Sequence, residues 1–220
     1  MSIKLHGAAL SPFVRKARVV LAEKGLAYEA VHVDPFNCPP EYSRLNPLRR
    51  IPALEDGDTV LADSGVICAY LDKAYPEQPL YPAGAAEYAR VLWLEKFADY
   101  ELAPHTTFTV FRNRVLMPLL GKPSDEERIA KALSEKLPPL LDYLEEQIKG
   151  REWFVGEQLT VADIAVATQF ANLQHGGEQV DADRWPALAA HVAKLLARPS
   201  FASLLERERG FVEKVRGAAN

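Results

Sequence analysis

The chain has 220 residues, of which 48% are hydrophobic and 25% are charged, the balance of a folded globular protein rather than a disordered one. This length exceeds the usual size of one domain but would leave three domains with inadequate cores, so two compact domains are predicted. The net charge is −4 and the basic residues are scattered, which argues against nucleic acid as a ligand.

The N-terminal pattern begins with a strand, a helix and a second strand. Residues 3–6 and 30–33 have the character of strands, and the segment 12–24 between them predicts a helix that ends at Gly25. These three elements form a β-α-β unit.

A hairpin and a helix follow in the pattern. Two short strands at 51–54 and 59–62 flank the dipeptide Asp56-Gly57, which is typical of a tight turn, and a helix is predicted from Ser64 to Tyr75. A β-α-β unit, an irregular link, a hairpin and a helix are the element order of the thioredoxin fold. We therefore expect an α/β domain with a mixed four-stranded sheet and helices.

The rest of the chain is predicted to be an α-helical bundle. Three prolines separate it from the first part of the chain: Pro76, Pro79 and Pro82. From there on apolar residues recur at helical spacing, so we expect a thioredoxin-like domain at 1–77, a linker at 78–85 and an all-α domain at 86–220. Pro138 and Pro139 remove backbone donors from one predicted helix and are expected to kink or split it.

Cysteine and histidine spacing argues against several kinds of site. The two cysteines, Cys38 and Cys68, form neither a CxxC motif nor a disulfide framework, and no pair of the five histidines has the spacing of metal ligands, so we expect no metal. The apolar runs are too short to span a membrane, and the N-terminus lacks the apolar segment of a signal peptide. We expect a cytoplasmic protein without a membrane partner.

Four separated motifs carry a resemblance to a known family. They are Ser11-Pro12-Phe13-Val14-Arg15-Lys16, Asn46-Pro47-Leu48-Arg49-Arg50-Ile51-Pro52, Asp63-Ser64 and Leu159-Thr160-Val161-Ala162-Asp163-Ile164-Ala165. In this order, and over nearly the whole chain, they resemble the cytosolic glutathione S-transferase family, in particular its serine-type, bacterial-like members. The resemblance implies glutathione as co-substrate, a small hydrophobic electrophile as second substrate, a role in detoxification and a homodimer.

Ser11 is the candidate catalytic residue. The reactive form of glutathione is its thiolate, and a free thiol with a pKa of about 8.5 is mostly protonated at neutral pH. Ser11 stands where the first strand turns into the first helix, so its hydroxyl and the positive helix end can face an incoming sulfur. The local sequence alone favours a simple helix cap before Pro12. The resemblance implies instead a hydrogen-bond donor to the thiolate, and it places Phe13 in the same site.

Arg50, Ile51 and Pro52 are expected to hold the middle and one end of glutathione. By resemblance, the Ile51–Pro52 bond is cis and the backbone of Ile51 pairs with the cysteinyl unit, whereas the default without it is a trans bond in an edge strand. Arg50 aligns with positions that reach the glycine carboxylate. The sequence is equally consistent with Arg50 as a solvated surface residue that makes no such contact. Arg49 could also take the place of Arg50.

Asp63 and Ser64 are expected at the other end of glutathione. At a helix N-terminus the N–H and hydroxyl of Ser64 can bind the γ-glutamyl carboxylate, while Asp63 can reach the γ-glutamyl amine. Related sequences usually carry Glu or Gln in place of Asp63, so its shorter side chain departs from the family pattern. The alternative is that the pair only caps the helix.

The helical domain supplies candidates for the second substrate. Aromatic residues at helical spacing form a stripe of Trp93, Phe97, Tyr100, Phe108 and Phe111. Such a stripe more often belongs to a core or a domain interface, but the resemblance points to Tyr100 and Phe108 as pocket members. Thr160 and Asp163 are instead expected to form a structural helix cap.

Other functions compete with a transferase. A thiol–disulfide oxidoreductase of the glutaredoxin type would need cysteines at the positions of Ser11 and Val14, and neither is a thiol. A transferase-like scaffold subunit without catalysis shares the fold and stays open as an alternative, as does a glutathione-dependent isomerase. Peroxidase and dehalogenase chemistry use glutathione as well, so the electrophile is also left open.

Overall fold

The computed structural model describes residues 3–218, with side chains up to residue 214. The chain divides into two compact units, Met1–Ala83 and Gly84–Asn220, which we call unit 1 and unit 2. Unit 1 contains a sheet with helices, and every regular element in the described part of unit 2 is helical. The predicted fold class is confirmed.

Unit 1 is built on a mixed four-stranded sheet. Its elements are β1 (Ile3–Gly7), α1 (Pro12–Glu23), β2 (Tyr28–His32), a 3₁₀ helix (Pro40–Arg44), β3 (Ala53–Asp56), β4 (Thr59–Ala62) and α2 (Ser64–Ala74). The strand order is β2-β1-β3-β4, with β1 parallel to β2 and the other two pairs antiparallel. Parallel neighbours need a crossover connection, which α1 provides.

Strand boundaries differ from the sequence pattern by one or two residues, and the starts of β3 and β2 show why. β3 begins at Ala53, after Pro52, because proline has no N–H to donate to a sheet ladder. β2 begins earlier than predicted, at Tyr28, where its pairing with Ile3 of β1 starts. The β3–β4 hairpin turns at Gly57, whose φ of 60° suits glycine because it has no Cβ.

The core of unit 1 lies between the sheet and its helices. Its fully buried side chains come from strands and helices alike and include Leu5, Val14, Leu21, Leu54, Ile67 and Leu71. α1 approaches β1 so closely that a Cβ on Gly7 would lie 2.4 Å from a methyl carbon of Val14. Glycine is therefore required at the point where the first strand ends.

A buried ion pair fixes the chain that follows α2. Lys24 Nζ lies 3.0 Å from Asp72 Oδ1 and also donates to the carbonyl oxygens of Glu77 and Gln78. The same Asp72 oxygen accepts the N–H of Leu80 at 2.7 Å. Both buried charges are thereby paired and hydrogen-bonded, which is the condition under which a protein interior tolerates them.

The described part of unit 2 forms five helical stretches. They are α3 (85–119), α4 (126–148), α5 (Val161–His175), α6 (Pro186–Leu196) and α7 (Pro199–Ala218). α3 and α4 each combine α-helical turns with π-helical turns. The predicted all-α second part of the chain is confirmed.

The π-helical turns occur next to prolines. In α3 they cover Ala98–Leu102 and Thr106–Leu116, on either side of Pro104, and in α4 they cover Ala132–Lys136, just before Pro138-Pro139. A proline cannot donate the hydrogen bond of a regular turn, and a π turn lets the helix continue past the missing bond. The expected interruption of α4 therefore takes the form of a π-helical segment rather than a break.

α5 forms the core of unit 2. Every residue of this helix except Gln174 is buried, as expected of a helix surrounded by other elements. Thr160 and Asp163 form a capping box at its start, in which Asp163 accepts the backbone N–H of Thr160 at 2.9 Å. Asp163 also accepts the N–H of Phe154 at 3.0 Å. The structural role predicted for Thr160 and Asp163 is confirmed.

Candidate active site

Three of the four sequence motifs meet at one end of the unit 1 sheet. Ser11 follows the carboxyl end of β1. Because β3 runs antiparallel to β1, its first residue, Ala53, lies at that same end, directly after Ile51-Pro52. Ala53 is paired with Ala62, the last residue of β4, so Asp63 follows at this same end of the sheet. The strand topology thus gathers residues that are far apart in sequence.

Ser11 caps α1 through its oxygen. Its backbone is extended, with φ −73° and ψ 125°, and its Oγ accepts the N–H of Val14 at 3.4 Å. Across the described residues this hydroxyl takes part in no other hydrogen bond. The cap uses an oxygen lone pair, whereas binding to a thiolate would use the hydroxyl proton. Capping and thiolate binding are therefore compatible roles for one side chain.

The N-terminus of α1 is electrostatically positive. Pro12 occupies the start of the helix, and the first turn contains no acidic residue. The unpaired N–H groups of a helix start carry a partial positive charge that favours a nearby anion. Phe13 lies in this same turn and is half-buried.

The segment before β3 distinguishes the two candidate arginines. Arg49 has a φ of 53°, and its guanidinium donates to the carbonyl oxygen of Cys38. Arg50 is exposed, and its guanidinium has no partner among residues 3–218. The Arg50 carbonyl oxygen, in contrast, accepts hydrogen bonds from Tyr42 and Asn46. Of the two arginines, Arg50 is the one with an unengaged cationic group.

The Ile51–Pro52 peptide bond is cis, as the resemblance implied. Pairing of β3 begins at Ala53, so the backbone N–H and C=O of Ile51 lie outside the sheet ladder. The Ile51 side chain packs against a buried cluster that consists of Val33, Cys38, Tyr42 and Ala53. The sequence predicted a role only for the backbone of Ile51. The structure shows that its side chain anchors this segment in the core of unit 1.

Asp63 and Ser64 form the start of α2. Asp63 has φ 75° and ψ 131°, a conformation that is strained for a residue with a Cβ and that clusters at functional sites. Its Oδ1 accepts the N–H groups of Gly65 at 2.8 Å and Val66 at 3.3 Å. Ser64 is buried. Asp63 accepts the N–H groups of the next two residues but not that of Ser64, the first residue of α2.

Tyr100 and Phe108 lie on α3, in unit 2. Two members of the aromatic stripe, Phe97 and Phe111, are core residues with 8% and 2% exposure. Tyr100 and Phe108 are 63% and 48% exposed. The Lys96 ammonium lies 5.5 Å from the centre of the Tyr100 ring. The stripe thus combines core residues with residues whose rings are exposed.

His105 lies between Tyr100 and Phe108 in the sequence and was not a candidate from the sequence alone. Burial, with a smaller effect of the positive charge on Lys136, holds the pKa of His105 below its usual value, although Glu101 opposes this shift. A neutral imidazole can both donate and accept a hydrogen bond.

The described part of the chain shows no redox pair, metal cluster or membrane-spanning helix. Cys38 and Cys68 are buried and form no disulfide, and neither lies at the start of α1, where a redox pair would be needed. No group of three or more His, Cys, Asp and Glu side chains within residues 3–218 is arranged to hold a metal ion. No helix in that range is long and apolar enough to cross a bilayer.

Known proteins share both parts of this architecture. Residues 5–79 match the glutathione S-transferase N-terminal domain, and residues 111–208 match the glutathione S-transferase C-terminal domain. A glutathione S-transferase from Hyoscyamus muticus is 31% identical over 222 residues, which cover 94% of this chain and 99% of the relative. The chain belongs to the glutathione S-transferase family.

Other glutathione S-transferases agree with it in sequence and in structure. Glutathione S-transferase 3 from Zea mays is 36% identical over 166 residues, which are 73% of each chain. The crystal structure of a glutathione S-transferase from Rhodospirillum rubrum has a TM-score of 0.84 and 31% identity, over 92% of this chain and 91% of that one. Glutathione is the co-substrate of the family, and this glutathione S-transferase is an enzyme of that class.

Proposed function

We propose that this glutathione S-transferase activates the thiol of glutathione through Ser11 and directs the thiolate at a hydrophobic electrophile. The observation that carries the proposal is the Ser11 hydroxyl at the start of α1, whose oxygen accepts from the helix while its proton stays available. A sulfur placed there would receive one O–H hydrogen bond and would face a helix end without acidic residues.

The size of the required effect is within reach of these two interactions. Lowering a thiol pKa by ~2 units corresponds to about 2.7 kcal/mol of preferential binding of the thiolate. A hydrogen bond to a charged group contributes about 1.5–3 kcal/mol. A helix end adds about 0.3–1 kcal/mol for an anion in its first turn. The required free energy therefore lies within the range that Ser11 and the N-terminus of α1 can supply together.

The proposed anchors for the two ends of glutathione belong to the same end of the unit 1 sheet. Ser64 offers its N–H and its hydroxyl to the γ-glutamyl carboxylate, and the Asp63 oxygen that does not cap α2 is left for the γ-glutamyl amine. The Arg50 guanidinium is proposed for the glycine carboxylate, and the backbone of Ile51 for the cysteinyl unit. Phe13 completes the proposed glutathione contacts from the first turn of α1.

Tyr100 and Phe108 are proposed as contacts to the electrophile. Their exposed rings offer apolar surface with a polar group at the tip of the tyrosine. Conjugation is the proposed reaction, and isomerase, peroxidase and dehalogenase reactions start from the same thiolate. A screen with aryl halides, isothiocyanates, peroxides and maleylacetoacetate-like compounds separates these reactions.

A cytoplasmic homodimer with a role in detoxification completes the proposal. In the family the first domain of one subunit pairs with the helical domain of the other. Exposed apolar side chains are present on unit 1 at Val60 and Val66 and on unit 2 at Trp93. We propose that these side chains contact a second copy of the chain.

The proposal is tested by titrating the thiol of bound glutathione. The thiolate absorbs in the ultraviolet, so absorbance against pH gives the pKa of the bound thiol. We expect this pKa to lie well below about 8.5, and we expect the enzyme to be retained on immobilised glutathione and released by free glutathione. A bound thiol that titrates at its usual value would refute thiolate activation, and a scaffold subunit would need neither retention nor turnover.

A further inference from the structure

Two side chains converge on one backbone carbonyl in the segment proposed to bind glutathione. Tyr42 Oη donates to the Arg50 carbonyl oxygen at 3.1 Å, and Asn46 Nδ2 donates to the same oxygen at 2.7 Å. A carbonyl oxygen has two lone pairs, so these two donors satisfy it completely. The peptide unit between Arg50 and Ile51 is thereby held from one side.

The planarity of that peptide unit transmits the effect to Ile51. The Arg50–Ile51 bond is trans. In a trans peptide the C=O and the N–H that follows lie in one plane and point in opposite directions. The donors that hold the Arg50 carbonyl therefore also direct the Ile51 N–H away from Tyr42 and Asn46, out of the sheet ladder.

Asn46 is bonded through its side chain and its backbone. Its Oδ1 accepts the N–H of Leu48 at 2.9 Å, and its carbonyl oxygen accepts the N–H of Arg49 at 2.9 Å. Its own N–H donates to the Tyr42 carbonyl at 3.0 Å. Asn46 is also buried, with 5% exposure. Its amide group cannot turn away from the Arg50 carbonyl without breaking the bond to Leu48.

Tyr42 is held by packing. Its ring is 4% exposed and lies in the buried cluster with Val33, Cys38 and Ala53, and the His6 ring centre is 6.3 Å away. Burial, together with the neighbouring Cys38, raises the pKa of Tyr42 to about 12. The hydroxyl therefore stays protonated and able to donate throughout the neutral pH range.

We infer that Tyr42 and Asn46 are positioning residues for glutathione binding, because together they orient the Ile51 N–H for its contact with the cysteinyl unit. The inference rests on the proposed function, since it takes Ile51 as the backbone contact to glutathione. Both side chains act through the Arg50 carbonyl rather than on the thiol. Their removal should therefore weaken binding of glutathione and leave the chemical step intact.

Two substitutions remove the donors one at a time. Tyr42→Phe deletes the hydroxyl and keeps the buried ring, while Asn46→Asp keeps an oxygen for the N–H of Leu48 and deletes the amide donor. An ordinary hydrogen bond corresponds to about a 2- to 10-fold change in an equilibrium constant. We expect Tyr42→Phe to raise the KM for glutathione by that factor and Asn46→Asp to raise it on the order of 10-fold, with kcat within about twofold of the wild type.

Matched controls lie in the same unit. Tyr70→Phe removes a tyrosine hydroxyl that bonds Asp56, and Ser43→Ala removes a side-chain bond to the Pro40 carbonyl within the 3₁₀ helix. Neither touches the Arg50 carbonyl, so both should leave the KM for glutathione unchanged. A variant that is merely less stable has fewer folded molecules, which lowers the apparent kcat but does not alter the KM of the molecules that remain.

Ser64→Ala separates a failure of this inference from a failure of the proposed function. If Ser64→Ala raises the KM for glutathione while Tyr42→Phe and Asn46→Asp do not, the positioning role is wrong and the proposed site stands. If none of the three raises it, the proposed site is wrong and the inference falls with it. If Asn46→Asp does not fold, Tyr42→Phe decides by itself, because its ring fills the same buried space.

Discussion

A serine hydroxyl carries one proton and two lone pairs, and the start of α1 occupies only a lone pair of Ser11. Ser11→Ala should therefore preserve the fold at a cost of about 1 kcal/mol for the lost cap. The lost hydrogen bond to the thiolate should lower kcat on the order of 10-fold or more and raise the pKa of the bound thiol, with the KM for glutathione within about twofold. Steady-state kinetics and the ultraviolet titration of bound glutathione measure these quantities.

Ser11→Thr is the matched variant, because threonine keeps a hydroxyl at a helix N-cap. It should retain a lowered thiol pKa and most of the turnover that Ser11→Ala loses. If Ser11→Ala leaves both the titration and the turnover unaltered, another group activates the sulfur and the assignment of Ser11 is wrong.

Ser64 contacts a part of glutathione that is remote from the sulfur in the proposed site. Ser64→Ala should therefore raise the KM for glutathione on the order of 10-fold while kcat changes little, because the lost contact is equally strong in the ground state and the transition state. Initial rates measured against glutathione concentration test this. An unchanged KM would remove Ser64 from the site.

The local sequence does not reveal which of Arg49 and Arg50 has a guanidinium that is already hydrogen-bonded. Adjacent arginines have the same chemistry, and only the folded loop reveals that Arg49 bonds the Cys38 carbonyl. The role of Tyr42 and Asn46 depends in the same way on a loop that returns their donors to one carbonyl. In contrast, the helix caps at Ser11 and Asp63 were predictable because a cap involves residues that are close in sequence.

Among the elements, α6 begins without a cap from its own segment. Trp185 precedes Pro186 and makes no side-chain bond to the first turn. Glu145 of α4 supplies the cap instead, because its carboxylate accepts the N–H of Ala187 at 3.1 Å and that of Leu188 at 2.7 Å. A cap that comes from 42 residues away leaves no local signal in the sequence.

Glu145 and its neighbour Glu146 give a matched test of that cap. Glu145→Ala leaves two N–H groups of α6 without an acceptor and should lower the free energy of unfolding by about 1–2 kcal/mol. Glu146 is 69% exposed and lies 3.6 Å from Lys149, an exposed pair that contributes little. Glu146→Ala should therefore change the stability by less than about 0.5 kcal/mol.

Chemical denaturation of the two variants, followed by circular dichroism, measures the difference. Equal destabilisation by Glu145→Ala and Glu146→Ala would show that the contact with α6 has no energetic role. A change in the slope against denaturant would instead indicate a change in the compactness of the denatured or native state, or a loss of two-state behaviour.

The order of elements was predictable from the sequence because strand and helix periodicities differ and because glycine and proline mark the ends of elements. The π-helical turns were not predictable from the sequence. Pro104 and Pro138-Pro139 signal only that a hydrogen bond is missing, and the packing of the surrounding helices decides whether the chain breaks or continues. In this fold α3 and α4 both continue.

The proposed roles divide between the two units. The proposed glutathione contacts, from Ser11 to Ser64, all belong to unit 1. The strand order accounts for them, because it brings three motifs to one end of the sheet. The proposed contacts to the electrophile, Tyr100 and Phe108, belong to unit 2. Substitutions at Tyr100 and Phe108 should thus alter the choice of electrophile with little effect on the affinity for glutathione.

Two exposed apolar residues allow a test of the proposed homodimer. Val66 on α2 and Phe211 on α7 are apolar residues with nearly the same exposure, 50% and 49%. In the proposed dimer the first domain of one subunit pairs with the helical domain of the other. We expect Val66 to lie in this interface, where a charge would be buried without a partner, and Phe211, near the end of the last helix, to lie outside it as the matched surface change. Light scattering at micromolar concentration should give the mass of two chains for the wild type and for Phe211→Glu, and a shift toward one chain for Val66→Glu. A wild-type monomer would refute the dimer, and a Val66→Glu variant that keeps the mass of two chains would exclude Val66 from its interface.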